Sequence, residues 1–108
     1  MFAKTAFSAA ADPAIAAHLR GLGRHQVVLC GMETHVCVLQ TALGLRATGW
    51  DVAVAADAVG SRLPYRKQLG LERMRAGGVE IVDSEMVVFE WLGMAGTPEF
   101  KELSRLIR

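Results

Sequence analysis

The sequence predicts an α/β domain built on a parallel sheet, and three observations carry that reading. Apolar, β-branched runs at 25–30, 51–56 and 79–82 are each followed by a segment with helical spacing. Glycines at 21, 23, 49, 77 and 78 stop the helical segments that precede them. The alternation of strand with helix is what right-handed crossovers between parallel strands produce. With 108 residues, 52% hydrophobic and 21% charged, the chain is sized for one domain over 1–108 with a modest core.

Asp12 followed by Pro13 reads as N-cap and first helical position, so a short helix runs from Ala14 to Gly21. The run His25 to Cys30, closed by Gly31, suits a strand buried on both faces. From Thr34 to Thr48 the spacing of Val36, Leu39, Ala42 and Leu43 is helical, and Gly49 stops it. Gly44 inside this helix is an oddity, costing about 1 kcal/mol against Ala. Residues 51–56 form the second strand, 57–62 a loop, and 64–76 a helix opened by Pro64. A short third strand, Val79 to Val82, precedes a helix capped by Asp83 or Ser84 and running to about Met94. Met86, Val87, Phe89 and Trp91 surround that helix and point to burial in a core or subunit interface. A last helix is expected from Gly96-Thr97-Pro98 to Ile107.

Composition removes several function classes. Twelve basic against eleven acidic side chains give a formal charge of +1, which offers no field for nucleic acid or an anionic membrane. No apolar run approaches the roughly 20 residues needed to span a bilayer. Asp12 and Pro13 interrupt the alanine-rich start before a signal-peptide core forms, so a cytoplasmic protein is expected. The two cysteines, Cys30 and Cys37, would have to bridge a strand to the helix after it, and a reduced state fits better. Three strands with both edges bare make a narrow sheet, which suggests a domain completed by sequence outside these residues or by another chain.

Ligands of open parallel sheets bind at the carboxyl ends of the strands. There, Gly31-Met-Glu-Thr-His-Val-Cys37 sets a cysteine in the first turn of a helix, with Thr34 as its cap. The partial positive charge of a helix N-terminus favours thiolate over thiol, and amides of the same turn can hold an oxyanion. A second reading makes Cys37 a small buried apolar residue, and both stand on position alone. Cys30, within the strand, reads as inert core. His35 lies two residues from Cys37 and faces away from it on a helix. His18 and His25 read as surface residues, and no His/Cys spacing matches a zinc site. Position 43 is Leu where a phosphatase loop needs Arg, and no cysteine pair has redox spacing. Gly21-Leu-Gly23 has no strand before it, so it is a terminator rather than a dinucleotide fingerprint. Asp57 reads as a carboxylate accepting backbone bonds in the 57–62 turn, with a base as its alternative role. Arg62, Arg66, Arg73 and Arg75 read as a solvated helix face.

The segments Leu29-Cys-Gly-Met-Glu-Thr-His-Val-Cys-Val-Leu-Gln-Thr-Ala-Leu43, Gly49-Trp-Asp-Val-Ala-Val-Ala-Ala-Asp-Ala-Val-Gly-Ser-Arg62 and Ser84-Glu-Met-Val-Val-Phe-Glu90 closely resemble the C-terminal half of isochorismatase-like cysteine hydrolases, especially the isochorismatase-domain subgroup. The likeness runs from about Lys4 to the end. It implies a three-layer α/β/α, Rossmann-like sandwich on a six-stranded parallel sheet, here truncated at its N-terminus. It also implies an Asp, Lys and Cys triad acting on amides or related C–N or ether bonds of small molecules. By this resemblance Cys37 is the nucleophile, and Lys4 is the lysine that steadies developing charge. A cis peptide is expected between Met32 and Glu33, with the amides of Glu33 and Cys37 as oxyanion donors.

The family's aspartate has no counterpart before Lys4, so the chain is expected to be inactive alone. The alternative is a non-catalytic remnant acting as an assembly or binding module; a third possibility makes Asp57 the substitute base. A small-molecule substrate and a homo-oligomer are expected, with no cofactor, metal, nucleic acid or membrane partner.

Overall fold

The structure, a computed structural model, describes residues 7–93. Lys4 and the helix expected over 96–107 lie outside the described residues. Helix α1, Pro13–Arg20, starts where Asp12 accepts from the Ala14 and Ile15 amides, and Pro13 fills a position that needs no N–H. Strand β1, Gln26–Met32, leads into a π-helical turn, Thr34–Val38, continuous with helix α2, Leu39–Ala47. Strand β2, Asp51–Gly60, helix α3, Pro64–Ala76, strand β3, Glu80–Val82, and helix α4, Ser84–Leu92, complete the order. Asp83 caps α4 by accepting from the Met86 amide at 2.7 Å, and Gly93 at φ +72° ends it.

The strands run parallel in the order β1-β2-β3, so the α/β fold expected from the sequence is the fold observed. The main core lies between the sheet and the α2–α3 layer. Val52 and Val54 from β2 meet Val38, Leu39, Ala42, Leu45, Leu71 and Met74 there. Met74 and Val54 are fully buried, each such side chain contributing about 1.5–3 kcal/mol. Alternation turns Ala53 to the opposite face, where Val87 of α4 and Val82 share a broad hollow with it.

Three expectations need correction. Among the described residues strand β1 is an edge with one hydrogen-bonded neighbour, not a strand buried on both faces: of its side chains only Val27 and Leu29 are half-buried. Cys30 is consequently exposed rather than core. The expected 57–62 loop is strand as far as Gly60, because β2 bulges and then pairs again: Leu29 faces Val54, but Gly31 faces Val59. On α4, Val87 is buried while Met86 and Trp91 are exposed within this chain, so the core half of the expected burial holds for Val87, and exposure in a single chain leaves the expected subunit interface as it was.

Gly44 also acquires a reason. A Cβ there would lie 3.1 Å from Ala10 Cβ and 3.4 Å from Ser8 Oγ. Ser8 caps a short 3-10 turn, Ala9–Ala11, that is pinned to α2: Ser8 Oγ donates to Gln40 O and the Ala9 amide donates to Thr41 Oγ1. The missing side chain lets this segment approach.

Candidate active site

The carboxyl end of β1 turns directly into the helix carrying Cys37. Gly31 sits at φ +113°, a conformation that favours glycine, and the Met32–Glu33 peptide bond is cis. Glu33 is the N-cap of the π turn, and no side chain caps it. The expected cap, Thr34, is instead the first helical residue; it is fully buried, and its Oγ1 has no hydrogen-bond partner among the described residues. Capping falls to the backbone: the Glu33 carbonyl accepts from Val36 N at 3.1 Å and Val38 N at 3.2 Å. Those amides bracket Cys37, which is half-buried. Leu39 N reaches back to Thr34 O, the wider spacing that defines a π turn and recurs at functional sites.

Two other elements close on this turn. The rim of β2 meets it because Met32 pairs with Gly60, which brings Ser61 and Arg62 beside Glu33 and His35. The Arg62 amide donates to Glu33 Oε2 at 3.0 Å, and Arg62 Nε stands 3.4 Å from the same oxygen. His35 Nδ1 shares a hydrogen bond with Ser61 Oγ at 2.9 Å. From the other side comes α3, where a Cβ on Gly70 would lie 3.1 Å from His35 Cα and 3.2 Å from Thr34 O. The bond from the Arg62 amide, then the positive charges of Arg62 and His35, hold the Glu33 carboxyl below its ordinary value against the opposing effect of desolvation.

Asp57 is committed elsewhere. Its Oδ1 accepts from the Ser84 amide at 2.8 Å and its Oδ2 accepts from the Ser84 hydroxyl, which lowers its pKa. The structural role read from the sequence stands, but the partner is the start of α4 rather than the 57–62 turn, and a carboxylate so engaged is a poor proton acceptor. His18 and His25 are exposed. Arg62, read as part of a solvated helix face, lies before α3 and meets Glu33, although its side chain remains 83% exposed. Sequence reasoning missed Ser61 and Arg62 as neighbours of the cysteine turn. The signal was their place at the end of a strand beside β1, but the bulge that sets the register is invisible in the letters.

Among the described residues no group of three or more His, Cys, Asp or Glu could hold a metal, and no helix is long and apolar enough to cross a membrane. The open hollow of about 880 Å³ touching Arg24, Asp51, Glu80 and Trp91 does not include Cys37 and gathers the residues that begin the strands. Parallel sheets bind ligands at the other end.

Known proteins resemble this chain in sequence and in fold. The family model of the Isochorismatase domain matches residues 1–86. The secreted isochorismatase effector Isc1 of Phytophthora sojae is 49% identical over 85 residues, covering 79% of this chain and 40% of that protein. Among solved structures, the MAR1 ribonuclease of Caenorhabditis elegans superposes with a TM-score of 0.85 at 36% identity, over 96% of this chain and 53% of that one. Nicotinamidase PncA of Bacillus subtilis gives 0.70 at 27% identity, over 74% and 45%. The chain thus spans about half the length, or less, of the curated relatives it matches.

Proposed function

The chain belongs to the isochorismatase domain family, and from that premise we propose that it carries the nucleophile of a cysteine hydrolase acting on a small-molecule amide or a related C–N or ether bond. The observation that carries the reading is Cys37 in the first turn of a helix at the carboxyl end of a parallel strand, bracketed by amides tied to the Glu33 carbonyl. The Cys37 sulfur attacks the substrate carbonyl carbon, and the amides of Glu33 and Cys37 hold the oxyanion. The C–N bond then breaks, the amine leaves with the proton the thiol gave up, and water hydrolyses the thioester to an acid and the free thiol. Lys4 steadies the developing charge.

Carrying that proton is the task of the family's aspartate, which the resemblance puts ahead of Lys4, where this sequence has only Met1, Phe2 and Ala3. In this reading a carboxylate, and strands beside β1, come from polypeptide outside residues 1–108. The bare edge of β1 supports this, as does the coverage of about half of each relative. Assembly as a homo-oligomer is part of the same reading, supported by the exposed Met86 and Trp91.

The test is ammonia release from a panel of small primary amides, nicotinamide included, by the chain alone and by the chain fused behind the N-terminal half of the C. elegans relative. The fusion should turn over, and Cys37→Ala in the fusion should not. Full activity of the chain alone would overturn the requirement for outside residues. Activity surviving Cys37→Ala would overturn the nucleophile, and a folded fusion that releases no ammonia from any amide would leave a binding module as the better reading.

A further inference from the structure

The segment 33–38 is gripped at its solvent side by two polar contacts from the end of β2. We propose that Ser61, together with the Arg62 amide, positions the Cys37 turn, so that the reactivity of the thiol depends on a hydroxyl acting through His35. Four residues of β2 lie between Val54 and Val59, while one of β1 lies between Leu29 and Gly31. That bulge delivers Asp57 to Ser84 and returns Gly60 to Met32, and so sets Ser61 and Arg62 against the turn.

The connection to Cys37 is continuous. The Arg62 amide holds the Glu33 carboxylate, and the Glu33 carbonyl holds Val36 and Val38 on either side of the cysteine. The His35 ring, held by Ser61 at 2.9 Å, fixes the rotation of the same turn. Gly70 of α3 closes the opposite side, so the turn is held between a helix and a strand end. Ser61 and His35 are only half-buried and Arg62 is exposed, and hydrogen bonds in such settings add little to global stability. Losing them moves the local turn more than the folding equilibrium, which separates positioning from a structural role.

The inference rests on Cys37 being the nucleophile, and the experiment separates the two claims. The full chain carrying Cys30→Ser keeps Cys37 as its single thiol, and its alkylation by iodoacetamide at neutral pH is compared with that of N-acetylcysteine. Faster reaction than the free thiol is expected. Ser61→Ala should slow it about fivefold, the size of one lost hydrogen bond, with the melting temperature nearly unchanged. Ser61→Thr, which restores a hydroxyl, should recover the rate. His35→Phe should reproduce the loss and make Ser61→Ala silent on top of it, which keeps the test open where Ser61→Ala does not fold. A fast parent whose rate ignores Ser61→Ala, lacks Thr rescue, or combines additively with His35→Phe overturns the positioning role alone. A parent no faster than N-acetylcysteine overturns this inference, since the turn then confers no reactivity to position, and the nucleophile reading stands or falls separately on Cys37→Ala in the fusion.

Discussion

Replacing Gly70 by Ala perturbs the candidate site from behind. The new Cβ would sit 3.1 Å from His35 Cα, 3.2 Å from Thr34 O and 3.3 Å from His35 N. All three are main-chain atoms of a turn also held by Arg62 and by the pairing of Met32 with Gly60, so none can yield cheaply. Alanine gains about 1 kcal/mol of helix propensity over glycine. Overpacking against fixed atoms costs about 1–3 kcal/mol. The balance is a loss of roughly 0–2 kcal/mol, and each kcal/mol lowers the melting temperature of a domain this size by about 4–8 °C. Gly77→Ala is the matched control: its Cβ would lie 2.6 Å from Leu43 Cδ2, the end of a flexible side chain that can rotate away. Thermal melts of the two variants should therefore diverge, Gly70→Ala falling and Gly77→Ala holding or rising. Alkylation of Cys37 should slow in Gly70→Ala as its turn is pushed aside. If Gly70→Ala melts as high as Gly77→Ala, the close approach of α3 to the cysteine turn is refuted.

Gly44→Ala should destabilise through the Ala10 contact, and Ala10→Gly on top of it should recover the loss, read as a double-mutant cycle in denaturant melts. Glu33 and Asp57 have folded pKa values below their ordinary 4.5 and 3.8, so the stability they lend is fully present above those ordinary values. It is lost as the pH falls through the depressed folded values. The Glu33→Gln, Asp57→Asn double variant should accordingly show a flatter acid limb in denaturant titrations, and an unchanged limb would contradict the assignment. The formal charge of +1 predicts no measurable binding of a single-stranded RNA at physiological salt by fluorescence anisotropy. Salt-dependent binding would contradict that.

Much of the fold is legible because its signals are local. Asp12-Pro13, Pro64 and Asp83 mark helix starts through backbone chemistry confined to a few residues, and all three act where expected. The β-branched runs mark strands for the same reason. Burial of β1 is not legible in the same way, because an apolar run describes what a strand suits, while exposure depends on which neighbours are paired with it. Gly44 looked like a defect and is a contact, since its reason lies 34 residues earlier at Ala10.

The sequence by itself determined the α/β class, the strand and helix order, and the cysteine in the first turn after a strand, since these follow from periodicity and capping within short windows. Tertiary structure alone decided that β2 bulges, that Asp57 serves Ser84, and that Ser61 and Arg62 reach Glu33 and His35. The physical reason is register: parallel strands meet through a crossover, and no local preference of either strand fixes how many residues one may carry for each residue of the other.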